Sequence, residues 1–318
     1  MISWEHVAEL ALSSIVRKQL RNRQHLERFD RLRYEYRGIC EMLSNGQHST
    51  ITNTIGYDWG AWVETVRSSF ERGVPLGFLR HPLLAHTMVF ARRRGISLSR
   101  LRIDYVIRTF GVEESYLLLS EDYIGLPTIT DVKFFTSANR SHHASHLAGY
   151  TRFSGKKFWE TSSVVEWGGG YGDMARIVRR MNSKITYVIV DLPEILALQY
   201  IYLASLEGED SIHVIKPGDV GDVCFGKINL VPVDLVFDGR IRLQGESFIS
   251  TWALTESQPV LQHEVLNGGF FGAKNILIGS MINENNVLAR EPMEAKGFKR
   301  VAVPSLGSLS AGNEYWFV

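Results

Sequence analysis

The sequence predicts an α/β protein, with a doubly wound sheet in the carboxy-terminal half and a mostly helical amino-terminal portion before it. Three observations predict this. After about Ala144, short β-branched runs alternate with helix-length stretches, the rhythm of a parallel sheet with crossover helices. One of those runs ends in a glycine-dense loop, Gly168-Gly169-Gly170-Tyr171-Gly172, that opens a helical stretch. Before Ala144 the patterns are helical, broken at Gly73-Val74-Pro75 and His81-Pro82.

In chain order, residues up to about Asp30 are helix-like. Val7, Leu10, Ala11, Ser14 and Ile15 recur at helical spacing, and a basic run, Arg17 to Arg23, reads as a solvated face. Helical patterns continue from Thr54 to Gly111, interleaved with Tyr57, Trp59, Trp62, Phe70 and Phe78. Val164 to Trp167 is the first expected strand and Tyr187 to Asp191 the second. Between them Asp173 to Met181 forms a crossover helix, with Met174, Ile177, Val178 and Met181 on one face. Ser211–Ile215, Phe248–Trp252 and Asn275–Ile282 supply a third, fourth and fifth strand. Phe298–Val303 and Tyr315–Val318 suit an antiparallel pair. The change of rhythm divides the chain into residues 1–143, a helical portion for substrate binding or oligomerisation, and residues 144–318, a cofactor-binding sheet domain.

Composition excludes more than it assigns. With 45% hydrophobic residues in 318, the chain can bury a substantial core, and a net charge of +1 offers no global field for nucleic acid or an anionic membrane. The two cysteines, Cys40 and Cys224, lack metal-ligand or disulfide-framework spacing, so no metal is expected and a reducing compartment fits. The start Met1-Ile2-Ser3-Trp4 is not signal-like and no run of about 18 apolar residues occurs, which reads as cytoplasmic.

The glycine loop carries the chemistry. Gly170-Tyr171-Gly172-Asp173-Met174-Ala175 matches the Gly-x-Gly-x-x-Ala dinucleotide fingerprint, with Asp191 about 20 residues on. The longer pattern Glu166-x-Gly168-x-Gly170-x-Gly172 resembles the first motif of class I S-adenosylmethionine-dependent methyltransferases, whose sheet is Rossmann-like. The dinucleotide pattern explains neither Glu166 nor Gly168. Asp173, an acid at the helix start, is unfavourable beside a pyrophosphate and suits a cationic cofactor. Asp191-Leu192-Pro193-Glu194 and Phe248 to Ser257 are further similar to segments of the bacterial sugar O-methyltransferase family. The resemblance implies S-adenosylmethionine as cofactor, S-adenosylhomocysteine as product, and a cofactor site of Glu166, Gly168, Gly169, Gly170, Tyr171, Gly172, Asp191, Leu192, Thr251 and Trp252. It implies methylation of a hydroxyl on a sugar or glycosylated metabolite. A non-sugar natural product or peptide acceptor and an NAD(P)-dependent oxidoreductase are the alternatives, and a homo-oligomer is left open.

Methyl transfer to a hydroxyl benefits from a base, by about 10²- to 10⁴-fold. Glu256, just beyond the fourth strand, ranks first. His263, seven residues on, shares its face if Glu256 begins that helix, and ranks second. His143 ranks third. His142 and His146 share a helix face at i and i+4 and are candidates for substrate contact, as are Tyr57, Trp59 and Trp62 as stacking platforms. Asp234 and Asp238 supply two oxygen donors at most, too few for a hard cation, and one of them reads as a turn cap.

Overall fold

The computed structural model describes residues 22–44, 59–88, 94–218, 222–281, 290–301 and 313–318. The β-branched runs form an eight-stranded sheet among these residues. Its strands are β1 (Ser163–Trp167), β2 (Thr186–Asp191), β3 (Ile212–Val214), β4 (Ile228–Pro232), β5 (Ser247–Thr251), β6 (Asn275–Met281), β7 (Lys299–Val301) and β8 (Asn313–Phe317). They lie in the order β3-β4-β2-β1-β5-β6-β8-β7. The first six in that order are parallel neighbours, and β8 runs antiparallel to both β6 and β7.

The helices that matter for the site are α1 (Tyr36–Ser44), α2 (Trp59–Ser69), α3 (Arg94–Leu119), α4 (Ala138–Ser154), α5 (Asp173–Met181), α6 (Pro193–Glu207), α7 (Ala253–Glu256) and α8 (Pro259–Asn267). α5 has the bounds its periodicity predicts, with Met174, Ile177 and Val178 buried. α4 begins where the Ser137 hydroxyl accepts the Arg140 amide at 3.0 Å and ends at Gly155, whose φ of 73° suits a residue without a Cβ.

Each central strand is buried on both faces, because period-two alternation sends neighbours to opposite layers. Val164 and Ile189 join one core, which also holds Phe29, Tyr36, Phe70 and Phe78 from the amino-terminal portion. Val165 and Val188 join the other, with Phe248, Leu261, Val265 and Trp316. The amino-terminal helices therefore share a core with α5 and α6, and α4 runs unbroken through position 143, where the sequence rhythm changes.

The structure departs from the expected strands at two points. The third expected strand, Ser211–Ile215, is the short edge strand β3. A further strand, β4, lies between it and β2. Asn229 sits in the middle of β4 and is buried, its side chain accepting from the Cys224 amide at 2.7 Å and donating to the Cys224 carbonyl at 3.0 Å. A polar residue satisfied in this way breaks the apolar run by which the strand would have been read. Second, Trp252 is not in β5. It has left the strand with φ 71° and ψ −38°, a conformation that costs a bulky residue about 1–3 kcal/mol.

Candidate functional site

From β1 the chain moves outward one way to β2 and β4, and it returns to the other side of β1 through β5 and β6. The strand order therefore reverses between β1 and β5, and open α/β sheets bind ligands at the carboxyl ends of the strands beside such a reversal. Trp167 and the glycine loop lie at one side of this crevice, and Thr251 and Trp252 at the other.

The glycines of the loop do different work. Gly168 has φ 74°, and a Cβ there would lie 2.0 Å from the Ala253 Cβ, so it lets the loop pack against α7. A Cβ on Gly169 would meet Ile189 at 2.8 Å and Gln199 at 3.1 Å. Gly172 caps α5 with φ 98° and faces Leu203 at 3.0 Å. Gly170 alone among the four combines a left-handed φ, 56°, with no atom within 4 Å of its would-be Cβ. Packing requires the first two, and Gly170 presents bare backbone to open space.

Two acids support the loop from below. Glu166 is buried and accepts the Tyr187 hydroxyl at 2.9 Å. Burial pushes its carboxyl up to about 8, against the restraint of that bond. Asp191 closes the other side. Its Oδ2 accepts from the Gly169 amide at 3.0 Å and from Gln199 Nε2 at 2.8 Å, and its Oδ1 accepts from the Leu192 amide at 2.8 Å. Burial raises it to about 7, with those three bonds opposing. A carboxylate offers roughly four acceptor positions, so Oδ1 keeps one for a ligand. Gln199 also donates to the Gly170 carbonyl at 2.9 Å, tying α6 to the loop.

One expected side-chain contact lies elsewhere. The Tyr171 side chain packs against Tyr202 and Phe78 and accepts from Asn139 Nδ2 at 3.1 Å, leaving only its backbone at the loop. Leu192 is buried at the start of α6, and Thr251 is half-buried at the end of β5. The Asp173 carboxyl faces the core. It is wholly buried, with Arg140 Nη2 and His143 Nδ1 each 2.8 Å away. The physical reason is that Arg140 on α4 enters the core at this point and needs an anion.

The candidate bases do not share one helix. Glu256 is the last residue of α7, and the chain breaks at Ser257 and Gln258 before Pro259 opens α8. The two-turn spacing from Glu256 to His263 therefore has no geometric meaning. Glu256 is half-buried and raised by that burial, and His263 is exposed. His142 and His146 are buried instead of lining an opening. The His142 ring stacks on Trp252 at 5.2 Å, and the His146 ring meets Trp252 at 5.1 Å and Tyr315 at 5.4 Å. Burial first, and neighbouring cations second, hold both histidines well below the usual histidine value. Trp59 is the first residue of α2, and Trp62 on the same helix is half-buried and packed against both cores. Tyr57 lies outside the described residues. Asp238 pairs with Arg240 at 2.6 Å, and no metal-holding group of acids, histidines or cysteines occurs among the described residues.

No protein-family model matches the chain, and no curated protein is detectably similar to it. Solved structures that superpose on it include the mitomycin 7-O-methyltransferase MmcR, 12% identical over 98% of each chain with a TM-score of 0.37. The pyocyanin biosynthetic protein PhzM is 14% identical over 98% of each chain, also at 0.37. PigF with SAH is 14% identical over 73% of this chain and 70% of its own, again at 0.37. Superpositions this loose do not bear on the reaction, which has to be read from the residues themselves. Among the described residues no helix is long and apolar enough to cross a membrane.

Proposed function

We propose that the chain is an S-adenosylmethionine-dependent O-methyltransferase that methylates a hydroxyl of a sugar or glycosylated metabolite. The observation that carries this reading is Gly170, a left-handed glycine facing open space between Glu166 and Asp191 at the reversal of strand order. Its bare backbone would pass under the methionine and ribose parts of the cofactor, and the remaining acceptor position of Asp191 would take a ribose hydroxyl. The cofactor brings an electrophilic methyl group on a sulfonium. The chain's own contribution is to orient an acceptor oxygen against it and to receive the proton.

One feature weighs against a dinucleotide in the same loop. The common dinucleotide sheet is six parallel strands in the order 3-2-1-4-5-6, whereas here antiparallel β8 is inserted beside β6. The sugar assignment is supported by the sequence segments around Asp191 and Phe248.

Calorimetric titration with S-adenosylhomocysteine and with NAD(P) tests the cofactor, and label transfer to a panel of methyl hexosides, sugar nucleotides and glycosylated metabolites tests the acceptor. Saturable NAD(P) binding with no response to S-adenosylhomocysteine would sink the reading. A pH series adds a sharper expectation. Asp191 titrates near 7 in the free protein, and a ribose hydroxyl donates to its ionised form, so binding below that value must expel a proton. Affinity for S-adenosylhomocysteine is expected to be flat above about pH 8 and to fall by nearly tenfold per unit below about pH 6. Asp191→Asn should bind more weakly and lose this slope, since its amide nitrogen cannot accept from Gly169 or Gln199. A slope that survives the substitution would remove Asp191 from the site.

A further inference from the structure

A hydroxyl that becomes an ether must lose its proton, and one histidine beside the crevice is held by a carboxylate. His143 lies on α4 with its Nδ1 2.8 Å from Asp173 Oδ2. The other Asp173 oxygen is 2.8 Å from Arg140 Nη2. Burial opposes the Asp173 charge, but Arg140 and the bond from His143 outweigh it and keep the carboxyl below its ordinary value. An ionised group on Nδ1 can only accept, so a neutral His143 carries its proton there and presents a bare Nε2.

That Nε2 has no hydrogen-bond partner among the described residues. The His143 side chain keeps 16% of its surface exposed while Asp173 keeps none. Its partner Asp173 is the residue that follows the glycine loop. The His142 ring, 6.3 Å away between centroids, stacks on Trp252 just after β5. The imidazole is thus tied directly to the residue after the loop that follows β1 and, through His142, to the residue after β5. Neither of the first two candidate bases has this arrangement. Glu256 has no partner to orient it among the described residues, and His263 is an exposed helix position.

We infer that His143 is the base that takes the acceptor's proton and that Asp173 is its positioning residue, an inference that rests on the methyl-transfer reading above. In the step, His143 Nε2 removes the hydroxyl proton while an oxygen electron pair forms the bond to the methyl carbon. The carbon–sulfur pair stays with sulfur, giving a methyl ether, a neutral thioether and an imidazolium. Asp173 stabilises that imidazolium until it loses the proton to water. His142 and His146 pack beside the ring, 6.3 and 6.2 Å away between centroids, and both rest against Trp252.

Two measurements on the full chain decide it. The first is NMR of the protein labelled with ¹⁵N-histidine and saturated with S-adenosylhomocysteine, with the His143 signals assigned by their loss in His143→Gln. The expected neutral wild-type ring is protonated on Nδ1 and bare on Nε2, and Asp173→Asn should shift it toward protonation on Nε2. A wild-type His143 protonated on Nε2 overturns the inference. The second measures methyl transfer to whichever panel acceptor the wild type accepts. His143→Gln, which leaves the Asp173–Arg140 pair in place, and Asp173→Asn should each lower kcat by roughly a hundredfold or more with little change in KM or in S-adenosylhomocysteine affinity. Full turnover in His143→Gln overturns the inference while leaving the methyltransferase reading intact. No S-adenosylhomocysteine binding by the wild type overturns that reading and takes the inference with it.

Discussion

Gly170→Val is expected to lower affinity for S-adenosylhomocysteine by at least about a hundredfold while the chain still folds, because a branched side chain here projects into the space proposed for the cofactor. Nothing beyond the chain neighbours lies within 4 Å of the added Cβ, so the side chain starts out into open space. Its folding cost is the left-handed backbone, φ 56°, which for a β-branched residue amounts to about 1–3 kcal/mol. That is a fraction of the roughly 5–15 kcal/mol by which domains are stable. Gly168→Ala makes the useful contrast, since its Cβ would overlap that of Ala253 at 2.0 Å and force α7 away. Calorimetry with circular dichroism separates the two outcomes: lost binding with a retained fold for Gly170→Val, and lost stability for Gly168→Ala. A wild-type dissociation constant in Gly170→Val would mean that the open face of the loop is not where the cofactor lies.

Arg140→Met is expected to destabilise the protein by about 3–5 kcal/mol, the cost of removing one partner from a buried ion pair and stranding the others. Arg140 has no exposed side-chain surface and reaches Glu121 at 3.0 Å, Asp122 at 3.1 Å and Asp173 at 2.8 Å. Asp122 survives the loss, because Arg176 and Arg180 remain beside it at 3.1 and 2.6 Å. Burial works against its charge, but those guanidiniums hold it well below the ordinary carboxylate value. Its contribution is therefore present above the unfolded-state value near 4 and is lost only as pH falls through the depressed native one. Glu121 and Asp173 have less reserve. Burial already holds Glu121 above its ordinary value beside Arg140, and Asp173 would keep only the bond from His143. Without Arg140 both native values move further up, so the variant is penalised at high pH and relieved as they protonate. The deficit in denaturant midpoint should accordingly be largest near pH 8 and shrink toward pH 5. A deficit below about 1 kcal/mol, or one constant across that range, would mean that the network is solvated or rearranges around the missing guanidinium.

Local patterns made much of this protein legible from its residues. The bounds of α5 follow from Met174, Ile177 and Val178 at helical spacing, and β1, β2 and β5 from runs that alternate between two buried faces. The glycine loop was legible because its density is needed only where backbone must approach something closely. The break between Glu256 and His263 was also written locally, in Pro259, whose ring suits the first turn of a new helix and not the interior of an old one. Other features have no local signal. β4 is a strand because Tyr187 and Val190 offer it a parallel partner, although Asn229 interrupts its apolar pattern. Asp173 at the start of a helix is, by sequence, an acid placed for the helix dipole or a cation. Only the packing of α4 on α5 brings Arg140 and His143, about 30 residues upstream, to its two oxygens. The division of labour among the glycines was likewise decided in three dimensions. Gly168 and Gly170 are the same residue, each with a left-handed φ, and what separates packing from presentation is whether Ala253 or open space stands opposite.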